Sequence, residues 1–515
     1  MAVARQASQE PGRSETRLAS AVDELLGFLG GDQISCSGKA VAVLTDDRGE
    51  FAREFAQRAG SGTVTVFPRI RVPGDVGASG SSPGAAVLVM PVPSPPLPSR
   101  AEEFDLVIVW HSIERRSETV AWCREVGRIV KPSGVVAVAV ALHEDMSNVE
   151  GGGGGVPDDG PAEARSGSQP PVAISLEDVQ RGLLAGGLAI TKVALYAPPK
   201  DIARECEGAQ LADQVIEGSL LLAVPWEVPV AAGHRYFRER IRRLFRHPAH
   251  QTAAEPLEAI APNPPTYDWV EAHYSDAADH VLRFLAESDV VVEDRRVADV
   301  GCGDGLIDLG ICERGHPKEL LGFDVRPPGP GQLAQLSAVS RSAGGLPSAL
   351  SFVASEPRQI PAPSRRFDIV ISWSAFEHMS DPVAMAAEIH RILRSDGTLL
   401  VQLWPFFMSE HGSHLSRWYP AGFAHLVQPM AELKRRRADV AEASDPELEA
   451  VADVYLNGIT LGNLQRTLML AGFRIVRVQL IVDPCHIPRQ LAHHSILDLA
   501  VGGVLLLAKP SDALL

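Results

Sequence analysis

The chain has 515 residues, too many for one ordinary hydrophobic core and enough for two or three domains. Hydrophobic residues make up 45% and charged residues 22%, a globular balance that excludes wholesale disorder and a membrane-embedded chain. The formal net charge of −16 argues against nucleic acid or an anionic membrane as the principal partner, and 45 glycines and 39 prolines require part of the chain to be loop or linker.

Residues 1–17 are polar, lack the apolar stretch of a signal peptide and read as a disordered lead-in. No stretch approaches the roughly 20 apolar residues of a membrane helix. Residues 18–230 form a first domain with the apolar runs AVAVLTD, TVTVF, AAVLVM, FDLVIVW, GVVAVAVAL and SLLLAVPW, each bounded by Gly, Pro or Asp and each of strand length. Two low-complexity inserts interrupt it, at 68–100 and at 144–171, and both are expected to be mobile. A basic linker at 231–262 follows, with Arg235, Arg238, Arg240, Arg242, Arg243 and Arg246 clustered, and reads as a solvated segment paired with acidic surface. Residues 263–515 repeat the alternation of strand and helix with VADVGCG, LLGFDV, SFVAS, FDIVISW, GTLLVQLW and GGVLLLAKP, and VAMAAEIHRILR carries a helical period.

The two halves are copies. Phe104–Trp110 reappears as Phe367–Trp373 at an offset of 263, and the register carries Glu125 onto Glu388, Arg128 onto Arg391 and Gly134 onto Gly397. A later block repeats at an offset of 285, with Gln180 on Gln465 and Gly187 on Gly472, so the second copy holds a longer insertion, placed at 405–455. The expected fold class is α/β: two doubly wound, Rossmann-like domains in tandem.

The strongest chemical signal is Asp299-Val300-Gly301-Cys302-Gly303-Asp304-Gly305, a strand running into a glycine turn. Glycines there let the backbone bend sharply and approach a ligand, and the following helix offers free N–H groups. Asp324, about 20 residues on at the end of the next strand, is placed to accept hydrogen bonds from ribose hydroxyls. A dinucleotide fingerprint would need glycine where Leu306 stands.

This GxGxG arrangement resembles motif I of the class I S-adenosylmethionine-dependent methyltransferases, and the likeness continues through Asp324, Glu356 and FDIVISWSAFEH to about residue 510. The resemblance implies S-adenosylmethionine as cofactor. It implies Gly301, Cys302 and Gly303 along the amino-acid moiety with Asp299 helping to hold its ammonium, Asp324 on the ribose, Phe323 or Val325 against the adenine and Glu356 at its amino edge. Ser372 and Trp373 would lie beside the methionine portion. Read from the residues alone, Trp373 is a core residue matching Trp110, and Glu377 and His378 read as helix-start hydrogen-bonding residues. Pro357 departs from the family pattern and removes a backbone donor near the adenine. The first copy departs further: Thr45-Asp46-Asp47-Arg48-Gly49 replaces the glycine turn and its second strand ends without an acid, so its cofactor site is expected to be lost.

The insertion carries Trp404, His411, His414, Arg417, Trp418, Tyr419 and His425 at a sheet edge where ligands bind. His411 and His414 are the candidate catalytic bases, suited to take a proton from a hydroxyl during methyl transfer. Metal binding by His411, His414 and His425 is the alternative reading, but neither their spacing nor the six scattered cysteines matches a zinc pattern, and no metal ligand is assigned. The expected function is methylation of a hydroxyl on a small molecule or glycan by the second domain. The competing reading is a non-catalytic scaffold of two relic domains. Reduced thiols place the chain in the cytoplasm, and a homodimer is compatible with the pattern.

Overall fold

The computed structural model describes residues 11–30, 36, 39–45, 50–59, 63–68, 86–89, 96–97, 99–110, 116–141, 174–202, 210–226, 271–341, 345–416, 418–420, 422–440 and 456–511. The basic linker at 231–262, most of the 68–100 insert and all of the 144–171 insert lie outside these residues, as does 441–455 of the later insertion. A helix starts at Pro11 and runs to Gly30, which corrects the expected disordered lead-in for residues 11–17; proline suits this first helical position because its missing N–H has no partner there anyway. No described helix is long and apolar enough to cross a membrane.

The chain divides into two compact units, each discontinuous. Unit 1 comprises Met1–Tyr196, Ile216–His250 and Pro484–Leu497, and unit 2 comprises Ala197–Val215, Gln251–Asp483 and Asp498–Leu515. In chain order the strands are β1 Ala40–Thr45, β2 Thr63–Pro68, β3 Ala86–Val89, β4 Phe104–Trp110, β5 Val130–Ala141, β6 Leu188–Tyr196, β7 Lys200–Asp201 and β8 Gly218–Pro225. They continue as β9 Arg296–Val300, β10 Glu319–Asp324, β11 Leu350–Ala354, β12 Phe367–Trp373, β13 Leu393–Leu403, β14 Phe473–Ile481, β15 Cys485–His486 and β16 Gly503–Pro510. Every apolar run read from the sequence is one of these strands.

The unit 1 sheet has the order β15-β6-β8-β5-β4-β1-β2-β3, and the unit 2 sheet β7-β14-β16-β13-β12-β9-β10-β11. Compared strand by strand these are one topology: a parallel run that reverses at the first strand, followed by three antiparallel pairings. The central strands are buried on both faces, which is why β4 and β12 read as continuous apolar runs instead of alternating ones. The two copies thus share a doubly wound α/β fold.

The repeated polar residues have repeated jobs. Glu125 accepts from Leu97 N at 2.9 Å while Arg128 donates to Leu97 O at 3.0 Å and Ser99 O at 2.7 Å. Glu388 and Arg391 do the same to Ile360 N (3.0 Å), Ile360 O (2.9 Å) and Ala362 O (2.7 Å). Each pair ties the loop before a central strand to the helix after it, satisfying backbone groups that irregular structure leaves open. Asp105 and Asp368, second in each FD pair, accept from Ala40 N at 3.0 Å and Arg296 N at 2.9 Å and so fix the start of the neighbouring strand. Ser175 and Thr460 cap the matching helices Leu176–Ala185 and Leu461–Leu470.

The eighth strand of each sheet is two residues long, and a glutamine fastens the segment around it. In unit 1 the buried Gln180 donates to Ala492 O at 3.1 Å and His494 O at 2.7 Å and accepts from Ile496 N at 3.1 Å. In unit 2 its repeat counterpart Gln465 accepts from Leu211 N at 3.0 Å. Replacing Gln180 with Ala strands three backbone groups at once. Q180A is expected to lower unfolding free energy by about 1–3 kcal/mol in denaturant titration, more than a surface Gln→Ala change.

Candidate active site

β9 runs into the glycine turn with Gly301 at φ +88° and Gly303 at φ +54°, conformations that L side chains rarely adopt. A Cβ on Gly301 would lie 2.4 Å from Ala375 Cβ, so only glycine lets the turn and the loop after β12 touch. Around Gly303 there is no atom within 4 Å of a Cβ position, which leaves a bare stretch of backbone facing open space. Asp324, ending β10, accepts from Gly303 N at 3.1 Å and Arg326 N at 2.8 Å, and each carboxylate oxygen keeps a lone pair for a further donor. Beside it Val325 is 53% exposed, whereas Phe323 is buried edge-on against Phe367. Of the two side chains expected against an adenine, Val325 is therefore the accessible one. Glu356 is exposed, in a turn closed by hydrogen bonds to and from Gln359 at 3.0 and 3.2 Å. The residues present fit a nucleoside cofactor: bare backbone, a carboxylate with spare acceptors and an exposed apolar face converge at the carboxyl edge of the sheet.

Asp299 and Cys302 are buried beneath the turn. Asp299 faces Asp308, a fully buried residue in the first turn of the helix Leu306–Gly315. Burial raises Asp299 to about 7, and burial together with the Asp299 charge raises Asp308 as well. Two carboxylates in one dry site cannot both ionise, so they share a proton. Burial and the surrounding carboxylates also push the Cys302 thiol far up, which keeps it protonated and inert. Nothing in the spacing of Asp308 shows that the helix turns it back toward Asp299.

The wall opposite the turn is the loop after β12. Ser372 is fully buried and donates to Val300 O at 2.9 Å, so it joins two strands. Trp373 packs on the unit 2 core with its ring edge-on to His280. Ser374, at φ +46°, donates through both its N–H and its hydroxyl to Gln402 Oε1. The turn Phe376–His378 follows. Its Glu377 is 1% exposed, and neither carboxylate oxygen has a hydrogen-bond partner; burial pushes the group up to about 8. This corrects the reading of Glu377 as a helix-start residue, because the cap of the helix Pro382–Ile392 is Asp381, accepting from Ala384 N at 3.0 Å. Asn457 pins the turn from outside, its side chain donating to Phe376 O at 2.7 Å and Met379 O at 2.9 Å and its N–H to Glu377 O at 2.9 Å. Asn457 sits 80 residues downstream in an irregular stretch and gave no sequence signal.

The insertion has a small core of its own, Leu415, Trp418, Tyr419, Ala424 and Leu433, so Trp418 and Tyr419 are packing residues and not a pocket wall. Trp404 is 42% exposed, with the His411 ring edge-on at 6.2 Å. His414, at φ +58°, has a buried Nε2 without a partner, and its ring lies 5.3 Å from that of His378. Burial, with His378 and His425 nearby, drives His414 down to about 4 and so keeps it neutral. His425 instead bonds Phe407 O through Nε2 and stacks edge-on with the Phe407 ring, a structural role. The structure brings His414 together with Glu377 and His378; it leaves His411 against Trp404.

The shared proton makes a pH test. A carboxyl raised from its ordinary 3.8 to about 7 favours the folded state below about pH 4, and that advantage is lost as pH rises toward 7. D308N removes one charge from the pair without changing its shape. It is expected to raise stability at pH 8 by on the order of 1–3 kcal/mol and to change it little at pH 4, read as melting temperature against pH.

Residues 298–401, which hold the turn, Asp324, Glu356 and the β12 loop, match the family described as a methyltransferase domain. Among curated relatives, a ubiquinone biosynthesis O-methyltransferase from Cereibacter sphaeroides is 26% identical over 136 residues, covering 25% of this chain and 52% of its own length. An ajmaline N-methyltransferase from Rauvolfia serpentina is 27% identical over 107 residues, covering 21% of this chain and 35% of its own. The chain thus spans about half or less of the length of these relatives. An S-adenosylmethionine-dependent methyltransferase structure from Mesorhizobium loti is 18% identical, covering 45% of this chain and 99% of its own, at a TM-score of 0.30. The family match identifies residues 298–401, which carry the glycine turn and Asp324, as a methyltransferase domain.

Proposed function

We propose that unit 2 methylates a hydroxyl oxygen of a small molecule or glycan, and that unit 1 is a retained partner without a cofactor site. S-adenosylmethionine, when bound, supplies the methyl group as a sulfonium. The observation that carries the reading is the bare backbone of Gly303 beside Asp324, held open by the contact of Gly301 with Ala375.

In this reading the open face of the 301–303 turn meets the amino-acid end, with Asp299 supporting that turn from beneath, Asp324 accepts from the ribose, Val325 covers one adenine face and Glu356 meets its amino edge. Trp373 and Ser372 keep the loop after β12 in place from beneath. The acceptor approaches from the insertion, where His411 and His414 stand as candidates to take the hydroxyl proton. Holding nucleophile and methyl group in line accounts for most of the rate. The exposed face of Trp404 suits a flat or sugar-like acceptor.

Unit 1 supports the second half of the proposal. Thr45, fully buried, stands at the end of β1 where Gly301 follows β9, and the fully buried Phe51 stacks on Trp110 with ring centroids 4.0 Å apart. Trp110 is the counterpart of Trp373, and at the strand end where unit 2 has Gly301 unit 1 carries the branched, buried Thr45.

Asp324→Ala is expected to weaken S-adenosylhomocysteine binding by the full chain at least tenfold in calorimetry, with unchanged far-ultraviolet circular dichroism. Unchanged affinity in a folded D324A chain overturns the assignment of the cofactor cradle.

A further inference from the structure

We propose that Glu377, His378 and His414 form a binding site for a divalent transition metal ion of the kind that favours imidazole and carboxylate ligands. Among the described residues these three bring one ligand atom each to within 4.8 Å of one another. His378 Nε2 lies 3.9 Å from Glu377 Oε1, and the two imidazole rings are 5.3 Å apart. A filled tetrahedral site with bonds of about 2.0–2.2 Å needs donors about 3.3–3.6 Å apart, so side-chain rotation alone can close the cluster.

The orphaned atoms point the same way. Both Glu377 oxygens and His414 Nε2 are buried without any hydrogen-bond partner. Buried polar groups are as a rule partnered, and a cation bound between these atoms would satisfy all three. The positions are also braced. Asn457 holds the backbone of the Phe376–His378 turn through three hydrogen bonds, and Ala375 seats that turn against Gly301. His414 reaches the cluster through a left-handed backbone, an uncommon conformation for a residue with a side chain.

Two histidines and one carboxylate leave at least one coordination position for a water molecule or an oxygen of the acceptor. The site lies beside the glycine turn, where an acceptor hydroxyl has to arrive if unit 2 methylates oxygen; only this placement of the acceptor rests on that reading. Metal binding itself does not. With His414 as a ligand, the proton-accepting role falls to His411.

The test titrates the full metal-stripped chain with Zn²⁺ against a chromophoric chelator, and with Co²⁺ for the visible spectrum of its ligand field. The wild-type chain should bind zinc at this site, with H414A and H378A each weakening it at least tenfold and dulling the cobalt spectrum. His316→Asn, at an exposed histidine outside the cluster, should leave both readouts unchanged. Zinc affinity in H414A and H378A equal to wild type, or no zinc binding by the wild-type chain, overturns the proposal. S-adenosylhomocysteine affinity measured on the same samples reports folding, and separates loss of the metal site from failure of the methyltransferase reading.

Discussion

The contact between Gly301 and Ala375 organises the site. Because a side chain at 301 would collide with Ala375 at 2.4 Å, glycine alone allows the end of β9 and the loop after β12 to close on each other. That closure exposes the backbone of Gly303 toward Asp324 on one side and sets the Phe376–His378 turn on the other. The cofactor cradle and the Glu377 cluster are therefore two faces of one packing constraint. In the first copy Thr45 occupies the matching strand end, and that strand packs into a core containing Trp110 and Phe51.

The electrostatics of unit 2 follow from how dry this region is. Asp299 and Asp308 are pressed together beneath the turn and hold one proton between them, Cys302 stays a thiol, and Glu377 favours its neutral form. Burying carboxyls reduces stability, so their accumulation in this region is the pattern expected where binding, and not folding alone, has shaped the sequence. Unit 1 shows no comparable cluster among its described residues, and its repeated polar pairs, such as Glu125 with Arg128, are spent on backbone groups.

Much of this was legible in the sequence because it is local. The apolar runs, the glycine turn, Asp324 and the repeated Glu–Arg pairs follow from short-range pattern, and the Glu–Arg pairs make the same contacts in both copies. Three things were not legible. β7 and β15 are two residues long, too short for any periodic signal, and their pairing joins segments far apart in the chain. Glu377 meets His414 only because a compact, irregular insertion folds on its own small core and turns a left-handed residue inward. Ser372 and Phe323, placed at the cofactor by resemblance, make a strand-to-strand hydrogen bond and a buried ring contact that local pattern does not show.

Under the proposed reading, the chain keeps one cofactor site out of two copies of the fold. Calorimetric titration of the full-length chain with S-adenosylhomocysteine measures this directly as a stoichiometry. The expected result is one molecule bound per chain. Two per chain would contradict the loss of the site in unit 1, and none would contradict the cradle built by Gly301, Gly303 and Asp324.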